Sequence, residues 1–178
     1  AVRETMSNAL DSTRRTGITY TAENPAVYVN IIDPQTENIQ VDSIEEYYLG
    51  STTTMKNIAK VNPVITISDR GTGMSNETLL ENFLSYKNST KQKDLAVTGS
   101  KGVGAKAPLA YTDEFFVTSV HEGQMNSYRV HRSAEGYRYT WLVSEETDKP
   151  NGTEVSFAIR TDRKSSDITT VRELLQQY

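Results

Sequence analysis

The sequence predicts a single α/β or α+β domain, and three observations support that prediction. The chain has 178 residues, a length that suits one domain with a hydrophobic core of its own. Helical periodicity occurs at the start and again near residue 80, with β-branched segments between them. The second half holds four apolar or alternating segments separated by turn residues, which is typical of antiparallel strands.

The first element is a helix over residues 1 to about 15 that Gly17 ends. One face of this helix carries an apolar stripe formed by Val2, Met6, Ala9 and Leu10. Residues 26–32 ("AVYVNII") and 64–68 ("VITIS") are rich in β-branched side chains and predict strands. The polar, Tyr-rich insert at 33–63 predicts one short helix over "SIEEYYL", and we assign it no function.

The second half begins with a helix for which Ser75 is the expected N-cap residue. A polar stretch, "YKNSTKQKD", leads into the glycine-rich run "GSKGVGAKAP". The segments "EFFVTSVH", "MNSYRVHR", "YRYTWLVS" and "TEVSFAI" then predict an antiparallel meander. A closing helix at 167–178 is expected to continue into a following domain. Because the sequence opens inside a helix without Met, we also expect the domain to be incomplete at its N-terminus.

Composition excludes several classes of function. With 19 Lys and Arg against 23 Asp and Glu, the net charge is −4, so no general basic field exists for nucleic acid or an anionic membrane. The absence of cysteine excludes disulfides, thiolate zinc sites and a cysteine nucleophile, and it fits a reducing cytoplasm. The apolar runs fall far short of the roughly 20 residues that span a bilayer.

The glycine-rich run fits two phosphate-binding patterns imperfectly. Gly99 and Gly104 have the Walker A spacing, but Ala105 stands where that motif requires lysine. The segment 102–107 also fits the pattern G-x-G-x-x-A of dinucleotide-binding folds, yet a polar loop precedes it where that fold requires a strand. Neither pattern is specific alone.

The segment "DRGTGM" (69–74) directly follows the strand at 64–68. A carboxylate at a strand end followed by two spaced glycines lets a planar ring approach the backbone while Asp69 accepts from an exocyclic amine. Adenine has such an amine, whereas guanine presents an oxygen there. The alternative is a glycine-rich turn with a solvated aspartate.

Two further features join this segment. Glu4, Asn8 and Asp11 lie on one stripe of the first helix, where an amide oxygen can bind a hard cation and a carboxylate can take a proton from water. The alternative is a solvated helix face. Gly152-Thr153 opens the last strand and would place a hydroxyl near a base edge if that strand lay beside Asp69; the alternative is an ordinary turn.

Four motifs, taken in order, resemble those of the GHKL ATPases. They are E-x-x-x-N-x-x-D at 4–11, D-x-G-x-G at 69–73, G-x-x-G-x-G at 99–104 and G-T at 152–153. The resemblance covers nearly the whole chain. The stretch "GSKGVGAKAPLAYTDEFFVTSVHEG", with "VRETMSNALDS" and "DRGTGMS", is similar to the phage rIIA protector proteins within that superfamily.

The resemblance implies one ATP-binding domain over 1–178 with the Bergerat fold. This is an α+β two-layer sandwich with a mixed, mostly antiparallel sheet and helices on one face. It implies that Glu4 is the general base for hydrolysis, that Asn8 binds Mg²⁺ and that Asp69 recognises adenine. The rest of the implied nucleotide site comprises Gly71, Gly73 and Met74 beside the base, Thr153 through water, the backbone amides of Gly102, Val103, Gly104 and Ala105, and Lys106 in preference to Lys101 on phosphate.

The implied function is Mg²⁺-dependent ATP hydrolysis whose nucleotide state closes a lid, bearing Lys87, Lys91 and Lys93, and drives dimerisation. The rIIA likeness implies a phage or host protein partner and action in the cytoplasm of an infected bacterium, with peripheral membrane association. The alternatives are a histidine-kinase catalytic domain, a nucleotide-binding interaction module without turnover and, as a minor option, NAD binding. We interpret His121 and His131 as structural.

Overall fold

The computed structural model describes residues 1–21, 23–32, 63–84, 104–134 and 136–159, and residues 169, 170 and 173. The helical elements are α1 (Val2–Arg14), α2 (Asn76–Thr78), a π-helical segment (Leu79–Leu84) that continues α2, and a 3₁₀ helix (Gly104–Ala110). The strands are β1 (Val27–Ile32), β2 (Val64–Asp69), β3 (Glu114–His121), β4 (Gln124–Ser133), β5 (Gly136–Glu146) and β6 (Gly152–Ala158).

These strands form one six-stranded sheet in the order β1-β2-β6-β3-β4-β5. Strands β3 to β5 form the predicted meander, but the prediction is wrong for β6, which does not pair with β5. It lies between β2 and β3, where Val155 is paired with both Ile67 and Val117. Every strand pair in the described ranges is antiparallel, so the parallel component of a mixed sheet is not seen in them.

The hydrophobic core fills one face of the sheet, beneath α1 and the other helical segments. Met6 and Ala9 of α1 are buried there against strand residues such as Ile67 and Phe157. The opposite face carries both buried hydroxyl groups and buried apolar side chains, such as Phe116 and Val120; among the hydroxyl groups, that of Thr66 is hydrogen-bonded to Ser156 at 3.1 Å. The sheet is therefore apolar on the helical side, as an α+β two-layer sandwich requires.

Local signals set the ends of several elements. The Ser75 hydroxyl accepts from the Thr78 amide at 3.2 Å, which confirms the predicted N-cap. Of the predicted closing helix, residues 169, 170 and 173 are described and are helical. The lysine-bearing stretch at 86–94 and the insert with its predicted helix, apart from Pro63, lie outside the described residues. Among the helices that the structure describes, none is long and apolar enough to cross a membrane.

Candidate nucleotide-binding site

Asp69 ends β2 and is half-buried beneath the C-terminal part of α1. Its Oδ1 atom accepts from the backbone amides of Gly71 at 2.8 Å and Thr153 at 3.3 Å, and the Ser12 hydroxyl also hydrogen-bonds to the carboxyl group. Burial raises the pKa of Asp69 from 3.8 to about 6, and it outweighs these hydrogen bonds, which lower the pKa. The carboxyl group is thus fixed in place by three elements and poorly solvated.

The glycines around Asp69 are required because protein atoms approach them closely. A Cβ on Gly71 would lie 1.9 Å from Ser12 Oγ, and one on Gly152 would lie 2.2 Å from the Asp69 carbonyl oxygen. Gly73 has a φ of +64°, and a Cβ there would lie 1.8 Å from the Val120 carbonyl oxygen. The approach of a ring to these glycines stays a prediction; in the structure they also allow α1, β2, β3 and β6 to meet.

A buried hydroxyl on β3 joins the two segments beside Asp69. Ser119 Oγ accepts from the Met74 amide at 2.8 Å, and it lies 3.2 Å from the Gly152 carbonyl oxygen and 3.0 Å from Thr153 Oγ1. Ser119 has no exposed surface. Because a hydroxyl has one proton and two lone pairs, it can donate to Gly152 while accepting from Met74 and Thr153.

His121 fixes the same loop from its other side. Its Nδ1 atom lies 2.9 Å from the Thr72 carbonyl oxygen, which can only accept, so Nδ1 carries the proton. This contact agrees with a structural role for His121. It also brings the histidine close to the D-x-G-x-G segment, from which it is far removed in sequence.

The stripe on α1 begins at Ser12 and runs away from Asp69. Asn8 and Glu4 lie one and two turns before Ser12, and positions four apart share a helix face with a rise of about 6 Å per step. Both side chains are exposed. Asp11, the third residue of the predicted stripe, forms an ion pair with Arg14 at 3.2 Å on the exposed surface, as a solvated helix face would.

The described end of the glycine-rich run is helical. The 3₁₀ helix begins at Gly104 and packs against α1, so Ala105 and Lys106 lie beside the helix that carries Glu4 and Asn8. Burial lowers the pKa of the Lys106 ammonium group from 10.5. Lys101, Gly102 and Val103 lie outside the described residues.

The possible metal ligands near Asn8 determine how the protein could bind Mg²⁺. Within the part of the chain that the structure describes, no three His, Cys, Asp or Glu side chains cluster in a way that could hold a metal ion. Asn8 offers one amide oxygen at an exposed position. This fits a Mg²⁺ ion held largely by phosphate oxygens and water, because Mg²⁺ in nucleotide sites keeps several waters and takes few protein ligands.

Two residues of this site were missed by the sequence analysis. Ser12 continues the four-residue spacing of Glu4 and Asn8, which is a signal that could have found it. Ser119 follows the buried apolar residues Phe115 and Val117 at alternate positions on β3, and only its register opposite Thr153 shows its role.

The sandwich, the carboxylate at the end of β2 and the polar stripe on α1 are the features expected of a nucleotide-binding ATPase domain. The chain belongs to the family described as histidine kinase-, DNA gyrase B-, and HSP90-like ATPase, which matches residues 1–161. Members of this family are generally ATPases that bind ATP, typically with Mg²⁺.

Relatives of the chain include three bacterial chaperone proteins HtpG. The protein of Desulfitobacterium hafniense is 29% identical over 128 residues, which are 64% of this chain and 20% of that protein. The protein of Wolinella succinogenes is 23% identical over 189 aligned positions, which cover 99% of this chain and 27% of that protein. The protein of Chlorobium phaeobacteroides is 29% identical over 128 residues, with the same coverage as the first. The chain thus spans about a fifth to a quarter of the length of these relatives.

Proposed function

We propose that the chain binds ATP with Mg²⁺ and hydrolyses it, with Asp69 as the residue that selects adenine. The observation that supports this most directly is the fixation of Asp69. Both backbone donors end on Oδ1, so the second carboxylate oxygen is held at a defined position where it can accept from the exocyclic amine of adenine. Guanine presents an oxygen at that position and would be repelled.

The remaining roles follow the α1 stripe and the segments around Asp69. Glu4 orients and deprotonates the attacking water, and Asn8 contributes an oxygen to the Mg²⁺ that bridges the phosphates. Gly71, Gly73 and Met74 lie beside the base. Thr153 contacts the base through water.

The phosphates are bound by the glycine-rich run. We propose that the backbone amides of 102 to 105 donate to the phosphates and that Lys106 supplies positive charge in preference to Lys101. The packing of the 3₁₀ helix against α1 supports this arrangement, because it brings the end of the run beside the stripe of Glu4 and Asn8.

Calorimetry with a non-hydrolysable ATP analogue, with and without Mg²⁺, tests binding apart from turnover. We expect the analogue to bind, the corresponding GTP analogue to bind at least tenfold more weakly, and Asp69→Asn to lose binding of the ATP analogue. Unchanged affinity in Asp69→Asn would refute the adenine assignment. Asp148→Asn, which changes an exposed carboxylate, is the matched control.

Phosphate release then tests catalysis. Glu4→Ala is expected to bind the analogue as the wild type does and to lose hydrolysis, because the change removes the base and leaves the adenine contacts. Glu23→Ala removes another exposed carboxylate, outside α1, and should leave both properties unchanged. Binding without hydrolysis in the wild type would instead indicate a nucleotide-binding interaction module.

We further propose that nucleotide binding closes a lid and drives dimerisation, and that the chain is a phage rIIA-like member of the family. The quoted similarity of 99–123 supports the second point, and the action in the host cytoplasm or at its membrane follows from it. Sedimentation with and without the ATP analogue tests nucleotide-driven dimerisation. Transfer of phosphate to a partner histidine would favour the histidine-kinase alternative.

A further inference from the structure

Strand β5 is an edge of the described sheet and carries an aromatic stripe, defined as Tyr137, Tyr139 and Trp141. These side chains are 41%, 48% and 60% exposed, respectively. Large aromatic side chains lose most of the free energy of burial when they remain in water, so a stripe of three on one strand indicates a surface that another molecule covers.

The stripe continues the face of the sheet that forms the core. Trp141 is paired with the buried Tyr128 and Tyr139 with the buried Val130, and the rings of Tyr139 and Tyr128 pack edge to face with centroids 5.8 Å apart. The aromatic stripe is thus the outermost part of the core face, and its three side chains remain exposed.

The edge of β5 also lacks two of the features that usually prevent strands from pairing. Residues 136–146 include no lysine and no proline, the two residue types that most often protect exposed edges. One bulge is present, because Ser127 is paired with Val143 and Tyr128 with Trp141, which leaves Leu142 as an extra residue. On either side of Leu142 the strand is regular.

We propose that β5 pairs antiparallel with β5 of a second copy of this chain, about a twofold axis between Trp141 and Leu142. In this register Arg138 lies opposite Glu145 of the second copy. The two residues share a sheet face, because their partners on β4, His131 and Met125, are an even number of residues apart.

The same register brings Tyr137 opposite Glu146 of the second copy, again on one face. Because the interface is twofold symmetric, each pair occurs twice. The charges of β5 are therefore complementary to those of β5 itself, basic at one end and acidic at the other, which is the reason for choosing a second copy as the occupant. An unrelated peptide would have to supply the same pattern independently.

The pairing adds one strand to each sheet and joins the two aromatic stripes into one band. A single pair of edge strands buries less surface than a standard interface, so we expect a weak dimer with a dissociation constant of about 10–500 µM. The pairing does not require nucleotide, which separates it from the nucleotide-driven dimerisation proposed above.

Charge reversal gives a sharp test by sedimentation velocity over a concentration series without nucleotide. Arg138→Glu and Glu145→Arg each put like charges opposite one another, so each variant alone should dimerise about tenfold or more weakly than the wild type. Mixed in equal amounts, they should form a heterodimer, because both pairs are then attractive. The double variant should dimerise like the wild type.

Trp141 is the only tryptophan of the chain and reports on the same event through its fluorescence. Its emission should shift to the blue as the wild-type dimer forms. Trp141→Ser should weaken sedimentation-detected dimerisation. Ile18→Ser, which changes a 58% exposed apolar residue elsewhere, should not.

Three outcomes would overturn the proposal. The first is a wild type that stays monomeric up to about 0.5 mM, the upper end of the expected range of dissociation constants. The second is a mixture of the two charge variants that stays monomeric while the wild type dimerises. The third is association of a folded Trp141→Ser variant as tight as that of the wild type.

Discussion

The raised pKa of Asp69 predicts that the residue proposed to bind adenine destabilises the empty protein. Asp69→Asn is the informative change because the amide keeps an oxygen for the Gly71 and Thr153 amides. Its NH2 group takes the place of the other oxygen, and the Ser12 hydroxyl, which can rotate, can donate to the amide oxygen or accept from the NH2 group. The variant therefore removes the buried charge while it keeps the surrounding hydrogen bonds.

The magnitude follows from the pKa of the folded and unfolded states. Well below pH 3.8 the carboxyl group is protonated in both states and contributes no charge penalty. As the pH rises to about 6, the unfolded chain ionises while the folded chain holds its proton, so the folded state loses stability. The full difference corresponds to about 3 kcal/mol, and partial solvation of the half-buried group reduces it to about 1–3 kcal/mol.

Urea unfolding at several pH values measures this difference directly. The free energy of unfolding of Asp69→Asn should exceed that of the wild type by less than about 0.6 kcal/mol near pH 4 and by about 1–3 kcal/mol above pH 6.5. Asp148→Asn should change it by less than about 0.5 kcal/mol. An Asp69→Asn variant that is no more stable at pH 7.5, or whose advantage is the same at pH 4, would refute the reasoning.

The other predictions concern the same site. The affinity for adenosine, measured by calorimetry, should fall about tenfold from pH 7.5 to pH 5. With a pKa of about 6, only about a tenth of Asp69 is ionised at pH 5. An unchanged affinity would contradict the role of the carboxylate. Ser119→Ala removes a buried hydroxyl, and Ser127→Ala, the control, removes another. Each should lower the free energy of unfolding by about 1–3 kcal/mol, but only Ser119→Ala should weaken binding of the ATP analogue. Gly73→Ala should cost more than about 2 kcal/mol by thermal or urea unfolding, because its Cβ meets the Val120 carbonyl. Gly17 also has a positive φ, +69°, but a Cβ there would have no atom within 4 Å, so Gly17→Ala should lower the free energy of unfolding by only about 1 kcal/mol. Equal losses for the two variants would show that backbone strain, and not the collision with Val120, causes the loss at Gly73.

The sequence allowed the elements to be predicted better than their arrangement. The apolar stripe of α1 and the β-branched content of β1 and β2 are local signals, and both predictions are confirmed. The position of β6 could not be predicted in this way, since a strand pattern states which side chains face the core but not which strand lies beside it. Only the folded structure shows that β6 lies between β2 and β3.

The candidate site shows the same limit. Asp69 was identifiable because a carboxylate followed by spaced glycines at a strand end is a compact pattern. The reason for Gly71 was not identifiable, because the atom that excludes a side chain there belongs to Ser12, on another element. Ser119 escaped notice because its partners are at Met74 and at the start of β6, 45 and 33–34 residues away in sequence.

The insertion of β6 between β2 and β3 has a consequence for the order in which the protein can become functional. The bond from the Thr153 amide to Asp69 joins residues 84 positions apart, and β2 and β3 share no edge until β6 fills the space between them. During synthesis, the chain up to β5 therefore contains Glu4, Asn8 and Asp69 without the strand that fixes the carboxylate. Such a topology closes its longest loop last and folds slowly. Nucleotide binding would then begin only when the final strand is in place, which makes ATP a ligand of the completed domain and not of its folding intermediates.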